Sequence, residues 1–136
     1  MATFTASAAQ ANTPAIMHLD GTITRVIQYA CTVAASAGDV YQMMKVPMGA
    51  VVSKVAVANS ASAGVITVNI GDGNDTSAYA AAVVLSGSAV LLTSMPYRGL
   101  GRSYSAEDTI DIVVTAISAP AAETKFTLLV QYSLQN

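Results

Sequence analysis

Thr22-Ile23-Thr24-Arg25-Val26-Ile27-Gln28-Tyr29-Ala30-Cys31-Thr32-Val33 is the stretch that decides the fold class. Ile23, Ile27, Tyr29, Cys31 and Val33 fall on one alternate set, with Arg25 the exception. Thr22, Thr24, Gln28 and Thr32 fall on the other. A period of two, carried by β-branched and aromatic residues, sends successive side chains to opposite faces and specifies a half-buried strand.

The same signal recurs outward from this stretch. Val40 to Val46 reads as a second strand, stopped by Pro47 and Gly49. Ala50 to Ala58 is a third, with Val51, Val55 and Val57 on one face and Lys54 on the other. Val65 to Ile70 is a fourth, and the short Asn59–Gly64 loop predicts that these two form a hairpin. Ala89 to Thr93, Thr109 to Ala116 and Phe126 to Leu134 complete the set, with Ile110, Ile112 and Val114 set opposite Asp111 and Val113. Gly71-Asp72-Gly73-Asn74-Asp75 is a dense turn signal, after which Asp75 could cap one short helix over Thr76 to Ala82. Short strands separated by turns predict an all-β chain, an antiparallel β-sandwich. Jelly-roll and immunoglobulin-like topologies both fit, although one Cys and no Trp leave the immunoglobulin hallmarks missing.

Length and composition set the frame. A chain of 136 residues fits one domain, expected over residues 20–136, and buries roughly two-thirds of its unfolded surface without a disulfide. Residues 1–19 are expected to be an extended N-terminal arm, because the first twelve are small and polar apart from Phe4. Ile16, Met17 and Leu19 follow Pro14 directly and are candidate contact residues within that arm. Charged residues make up 10% of the chain, against about 25% in an average domain. A surface this poor in charge suits a protein covered by neighbours, because interface cores are depleted of charge. A homo-oligomer is therefore expected.

The same composition excludes several function classes. Net charge is −2 and the three Lys and three Arg are scattered, so no basic stripe meets a phosphate backbone and no nucleic acid is expected as partner. No apolar run approaches the roughly 18 residues of a membrane span, and no signal peptide pattern opens the chain, so no membrane partner is expected. Cys31 is alone and sits in an apolar run, where a buried, inert thiol is the expectation. His18 is the only histidine and lies in the arm, where it cannot be held against a nucleophile. One His and one Cys are too few for structural zinc. The carboxylate pairs Asp72/Asp75, Glu107/Asp108 and Asp108/Asp111 lack the aromatic groove that sugar hydrolysis uses. Asp72, Asn74 and Asp75 offer oxygen ligands but not a full calcium loop, and a turn closed by their side chains accounts for them. The chain is thus expected to be no enzyme and to need no metal or cofactor. Tyr97, Arg98, Arg102 and Tyr104 form an Arg–aromatic cluster whose composition is that of protein contact sites.

Several segments, in order, carry a resemblance. They are Val46-Pro47-Met48-Gly49-Ala50-Val51-Val52, Val68-Asn69-Ile70-Gly71-Asp72-Gly73-Asn74-Asp75, Ala78-Tyr79-Ala80-Ala81 and Asp108-Thr109-Ile110-Asp111-Ile112. Over roughly Asp39 to Val130 the chain resembles virion structural proteins of tailed bacteriophages, particularly head decoration or cement proteins. The resemblance implies a β-sandwich that binds the outer surface of the capsid and stabilises it. It implies the major capsid protein as partner, and assembly as a trimer. The alternative is a tail-fibre or receptor- or carbohydrate-binding module of a phage.

Overall fold

The structure, a computed structural model, describes residues 1–6, 22–60, 64–87, 90–91, 99, 102–118 and 124–134. Among them run nine strands: β1 (Thr3–Thr5), β2 (Thr22–Ala30), β3 (Val40–Val46), β4 (Ala50–Asn59), β5 (Val65–Asp72), β6 (Ala80–Leu85), β7 (Val90–Leu91), β8 (Asp108–Ser118) and β9 (Lys125–Leu134). They form two sheets, one ordered β1-β3-β8-β5-β6 and the other β2-β9-β4-β7. The chain is all-β, a sandwich of the jelly-roll kind. Every connection crosses from one sheet to the other except β5 to β6. That crossing pattern corrects the hairpin expected for β4 and β5. Each of those strands buries one face, and the two faces meet across the core rather than edge to edge.

The core is the set of alternate residues from both sheets. Ile66, Val68, Ile70, Ile110 and Ile112 from one sheet meet Val55, Val57, Phe126, Leu128 and Tyr132 from the other, all 0–1% exposed. Interdigitation at this density makes each of them sensitive to volume. Ile112→Ala would cost about 2–5 kcal/mol by the transfer and cavity terms together.

Bulges decide which residues reach this core. In β4 the register against β9 shifts between Val52 and Lys54, so Ala50 and Val52 point inward ahead of the bulge and Val55 and Val57 after it. Val51, expected inward, therefore lies on the other face. In β3 a shift between Gln42 and Met44 lets two successive methionines, Met43 and Met44, both bury completely. One extra residue inverts the alternation beyond it.

The expected helix over Thr76 to Ala82 does not form. Residues 76–79 make a tight reversal and β6 begins at Ala80. Helix propensity in a run of alanines is a weak preference that tertiary packing overrides. Here Ile66, Thr67, Val68 and Ile70 of β5 pair with the returning strand. At the bulge in β6, Ala82 has a positive φ of 55° and its N–H donates to Asn69 Oδ1 at 2.9 Å. The side chain of Asn69 thus replaces the ladder bond that the bulge interrupts.

β1 lies inside the segment expected to be a free arm. It pairs with β3 in parallel, Phe4 opposite Tyr41. The Phe4 ring stacks on Tyr41 at 5.0 Å, and Tyr41 in turn packs on Phe126 at 4.9 Å. The expectation of an unattached tail is corrected for these residues. Ile16, Met17 and Leu19 lie outside the described residues.

Candidate functional site

At one end of the sandwich the inward row of β5 ends on a charge. Ile66, Val68 and Ile70 are followed on the same face by Asp72, which is 0% exposed. A buried carboxylate is tolerated only when donors replace the water it has lost. Asp72 obtains them from two parts of the chain, the turn that follows it and the segment around Arg102 and Tyr104. The N–H groups of Asn74 and Asp75 donate to its Oδ1 at 3.0 and 2.9 Å, closing the turn that follows. Arg102 forks onto it, Nε to Oδ2 at 2.5 Å and Nη2 to Oδ1 at 3.1 Å. The Tyr104 hydroxyl donates to Oδ2 at 2.9 Å. Because that hydroxyl spends its hydrogen on Asp72, the neighbouring Tyr79 hydroxyl at 2.5 Å is the donor to Tyr104.

Electrostatics follow from this packing. Burial alone would raise the pKa of Asp72, but the donors from Arg102, Asp75, Asn74 and Tyr104 outweigh it and hold the carboxyl below its usual range. Burial first, against the hydrogen bond with Tyr104, which lowers it, and with the charge of Asp72, which raises it, pushes Tyr79 up to about 12. Tyr104 is pushed up as well, by burial first and then by Tyr79 and Asp72. The cluster therefore holds one negative charge against one guanidinium, with both phenols protonated. Beside it, Asn74, Arg102, Ser103, Tyr104 and Asp108 line a polar cleft of about 110 Å³. Both oxygens of Asp72 are already occupied by N–H and O–H donors, so a cation would have to displace Arg102 to reach them.

The close approach of two loops completes this end. A Cβ on Gly71 would lie 2.1 Å from the carbonyl oxygen of Asp75, and one on Gly99 would lie 2.2 Å from that of Ala78. Only glycine fits at either place.

Of the expected contact residues, the structure brings Arg102 and Tyr104 together, and both turn their polar groups inward to Asp72. Tyr97 and Arg98 lie outside the described residues, as do Ile16, Met17 and Leu19. Reading along the chain does not join Asp72 to Arg102, thirty residues further on. A carboxylate at the end of an inward-facing row of isoleucine and valine was the available signal. Asp111 also departs from the expectation of an exposed strand position. It falls on the outward row of β8 yet is 4% exposed, and its Oδ1 has no hydrogen-bond partner among the described residues. Burial, followed by the charges of Asp108 and Asp72 and against a hydrogen bond from Thr109, pushes its pKa up to about 6.

The outer face of the β2-β9-β4 sheet is the second candidate. Val26, Ala56, Ala58, Thr127 and Leu129 line a shallow apolar depression of about 170 Å³ there. Val26 is 60% exposed. Side-chain hydrogen bonds flank it, from Gln131 to Thr24 and from Gln28 to Thr127, both at 3.3 Å. The face carries a surface for contact and no reactive group.

No protein-family model matches the chain, and no curated protein sequence does. Solved structures do match. A chain in the capsid of Ralstonia phage GP4 superposes with a TM-score of 0.77 at 16% identity, covering 98% of this chain and 99% of that one. A chain in the cyanophage Pam1 capsid asymmetric unit gives 0.64 at 23% identity, covering 93% and 95%. The likeness is one of fold. A third match, in the acid-stable capsid structure of Helicobacter pylori bacteriophage KHP30, gives 0.55 at 14% identity over 85% and 93%. In each case 85% or more of both chains is matched, so the likeness extends over the fold as a unit.

Proposed function

We propose that this protein is a non-catalytic structural component of a phage virion that binds the outer surface of the head and stabilises it. The observation that carries this reading is the end-to-end likeness of fold to chains in three phage capsid structures. The composition supports it independently, since a chain with 10% charged residues suits a covered surface. The partner on this reading is the major capsid protein, and the protein acts as a homo-oligomer, a trimer in the form the resemblance suggests. Tyr97, Arg98, Arg102 and Tyr104 are proposed contact residues, as are Ile16, Met17 and Leu19.

The test is co-sedimentation of the purified protein with empty heads of the phage that carries its gene, followed by thermal challenge of the heads. Bound protein and a raised temperature of head rupture are expected. The triple substitution Ile16→Ser, Met17→Ser, Leu19→Ser leaves β1 in place and should weaken binding while the circular dichroism spectrum is unchanged. Heads that bind nothing, or that rupture at the same temperature with and without the protein, would overturn the reading.

A further inference from the structure

Sheet edges are where one chain can recruit another, because an edge strand presents a row of backbone N–H and C=O groups with no partner. Three of the four edges here are blunted. β1 is three residues long, β7 is two, and β6 carries the bulge at Ala82. β2 has none of these defences. It is nine residues long and pairs with β9 without a register shift from Thr22 opposite Ser133 to Ala30 opposite Lys125. It contains no Pro, Gly or Lys, and its outward side chains Thr24, Val26, Gln28 and Ala30 are uncharged. Among the described residues no strand pairs with its other side.

We propose that β2 pairs antiparallel with β2 of a second copy, centred on Val26, so that two four-stranded sheets join into one. The register is fixed by three considerations. Val26 is the exposed large hydrophobic residue at the middle of the strand, and this centre sets Ile23 to Tyr29 against the same span of the second copy. Centring on a residue, rather than between two, keeps inward side chains opposite inward ones. Centring on Arg25 would set two guanidinium groups against each other, whereas centring on Val26 sets Arg25 against Ile27 and Thr24 against Gln28. In this register the two exposed Val26 side chains meet, and the apolar depressions beside Leu129 on both copies become continuous. The contact is isologous and self-complementary, as a two-fold contact must be. It is separate from any three-fold contact and does not depend on what the assembled protein binds.

Sedimentation equilibrium at high micromolar concentration tests it. Val26→Lys places two ammonium groups together at the axis and should halve the mass of whatever assembly the wild type forms. Two double variants test the register, each changing the same two exposed positions. Thr24→Lys with Gln28→Lys opposes like charges and should also halve the mass. Thr24→Lys with Gln28→Glu opposes unlike charges and should keep the wild-type mass. Circular dichroism checks the fold of each, and the double variants decide the matter where Val26→Lys misfolds. A wild type that sediments at 13.9 kDa would overturn the proposal, as would two double variants of equal mass.

Discussion

Tyr104 donates its hydroxyl hydrogen to Asp72 Oδ2 at 2.9 Å, and in doing so commits Tyr79 to donate to Tyr104. The order of the chain, Tyr79 to Tyr104 to Asp72, makes the two phenols unequal. Tyr104→Phe removes both hydrogen bonds and strands the buried Tyr79 hydroxyl. Tyr79→Phe removes one and leaves Tyr104 bonded to the carboxylate. Tyr104→Phe should therefore cost about 2–3 kcal/mol and Tyr79→Phe about 1 kcal/mol. Urea unfolding of the two variants checks the order, and equal losses would contradict the assigned direction of the chain.

Removing Asp72 itself should cost more than either. Asp72→Ala leaves the Arg102 guanidinium, with 23% of its side chain exposed, and two turn N–H groups without their acceptor. Breaking one partner of such a pair costs about 3–5 kcal/mol. A fall in melting temperature on the order of 10 °C is expected for a domain of this size. Because Arg102 ties the segment 102–107 to the end of β5, the same variant should gain protease sensitivity in that segment first.

The two buried aspartates give stability opposite dependences on pH. Asp72 has a folded pKa below its ordinary value, so its contribution is present above about pH 4 and lost as pH falls further. Asp111 has a folded pKa of about 6, against 3.8 ordinarily, so the folded state binds the extra proton between those values. Its contribution is present below about pH 4 and lost as pH rises to 6. Stability from these two groups should therefore peak at about pH 4 and decline toward pH 6. At pH 7.5 the buried Asp111 carboxylate is unfavourable by about 3 kcal/mol at most. Asp111→Asn should raise the melting temperature at pH 7.5, by less than that amount because its amide is left unpaired. It should have little effect at pH 4. A melting series from pH 3 to 8 on both proteins reads this directly, and a variant destabilised equally at both ends would refute it.

How much of this was legible in the sequence depends on the kind of signal. The period of two placed β3 at Val40–Val46 and β5 from Val65, because each strand has one face in the core and a clear stop beyond it. The same rule misplaced Val51, since a bulge at Ser53 inverts the alternation and leaves no mark in composition. It misjudged Asp111 for a different reason. The outward row of β8 is not all solvated, and nothing local reports that other parts of the fold lie over it. The alanine run from Ala78 has helical propensity, yet Val83 and Val84 are the better guide to its fate as a strand. The Asp72 cluster joins the end of β5, the turn after it and the segment before β8, and only the fold brings Arg102 and Tyr104 to the carboxylate and Tyr79 to Tyr104.

Two glycines of the Gly71-Asp72-Gly73 turn should behave differently on substitution. A Cβ at Gly71 would meet backbone, the Asp75 carbonyl oxygen at 2.1 Å, which cannot move without unmaking the turn that holds Asp72. A Cβ at Gly73 would meet the Asp108 Oδ1 at 2.9 Å, the far end of a side chain that can rotate away at the cost of its bond from the Thr109 N–H. Gly71→Ala should cost more than about 3 kcal/mol or fail to fold, and Gly73→Ala about 1 kcal/mol or less. Expression and thermal melting of the pair separate the two. Similar losses would mean that the loop is looser than its packing shows.

The last prediction concerns β1. Its three residues are a short strand by any measure, and two sets of contacts hold it. Backbone bonds run from Val40 N–H to the Ala2 carbonyl and from Ala6 N–H to the Gln42 carbonyl, each at 2.9 Å. The Phe4 ring lies parallel to Tyr41 at 15° and within 6.5 Å of Tyr29. An aromatic pair of this geometry adds about 0.5–1.5 kcal/mol beyond the area it buries, and Phe4 is half-buried rather than fully so. Phe4→Ala should therefore lower stability by about 1–2 kcal/mol. Deleting residues 1–6 should cost more, because it also exposes the edge of β3 that those bonds cover. The near-ultraviolet circular dichroism of the tyrosines should change in both variants, since Tyr41 loses the ring stacked on it. Melting curves and spectra unchanged by Phe4→Ala would show that β1 does not stay paired with β3 in solution, and that the fold is held by β2 to β9 alone.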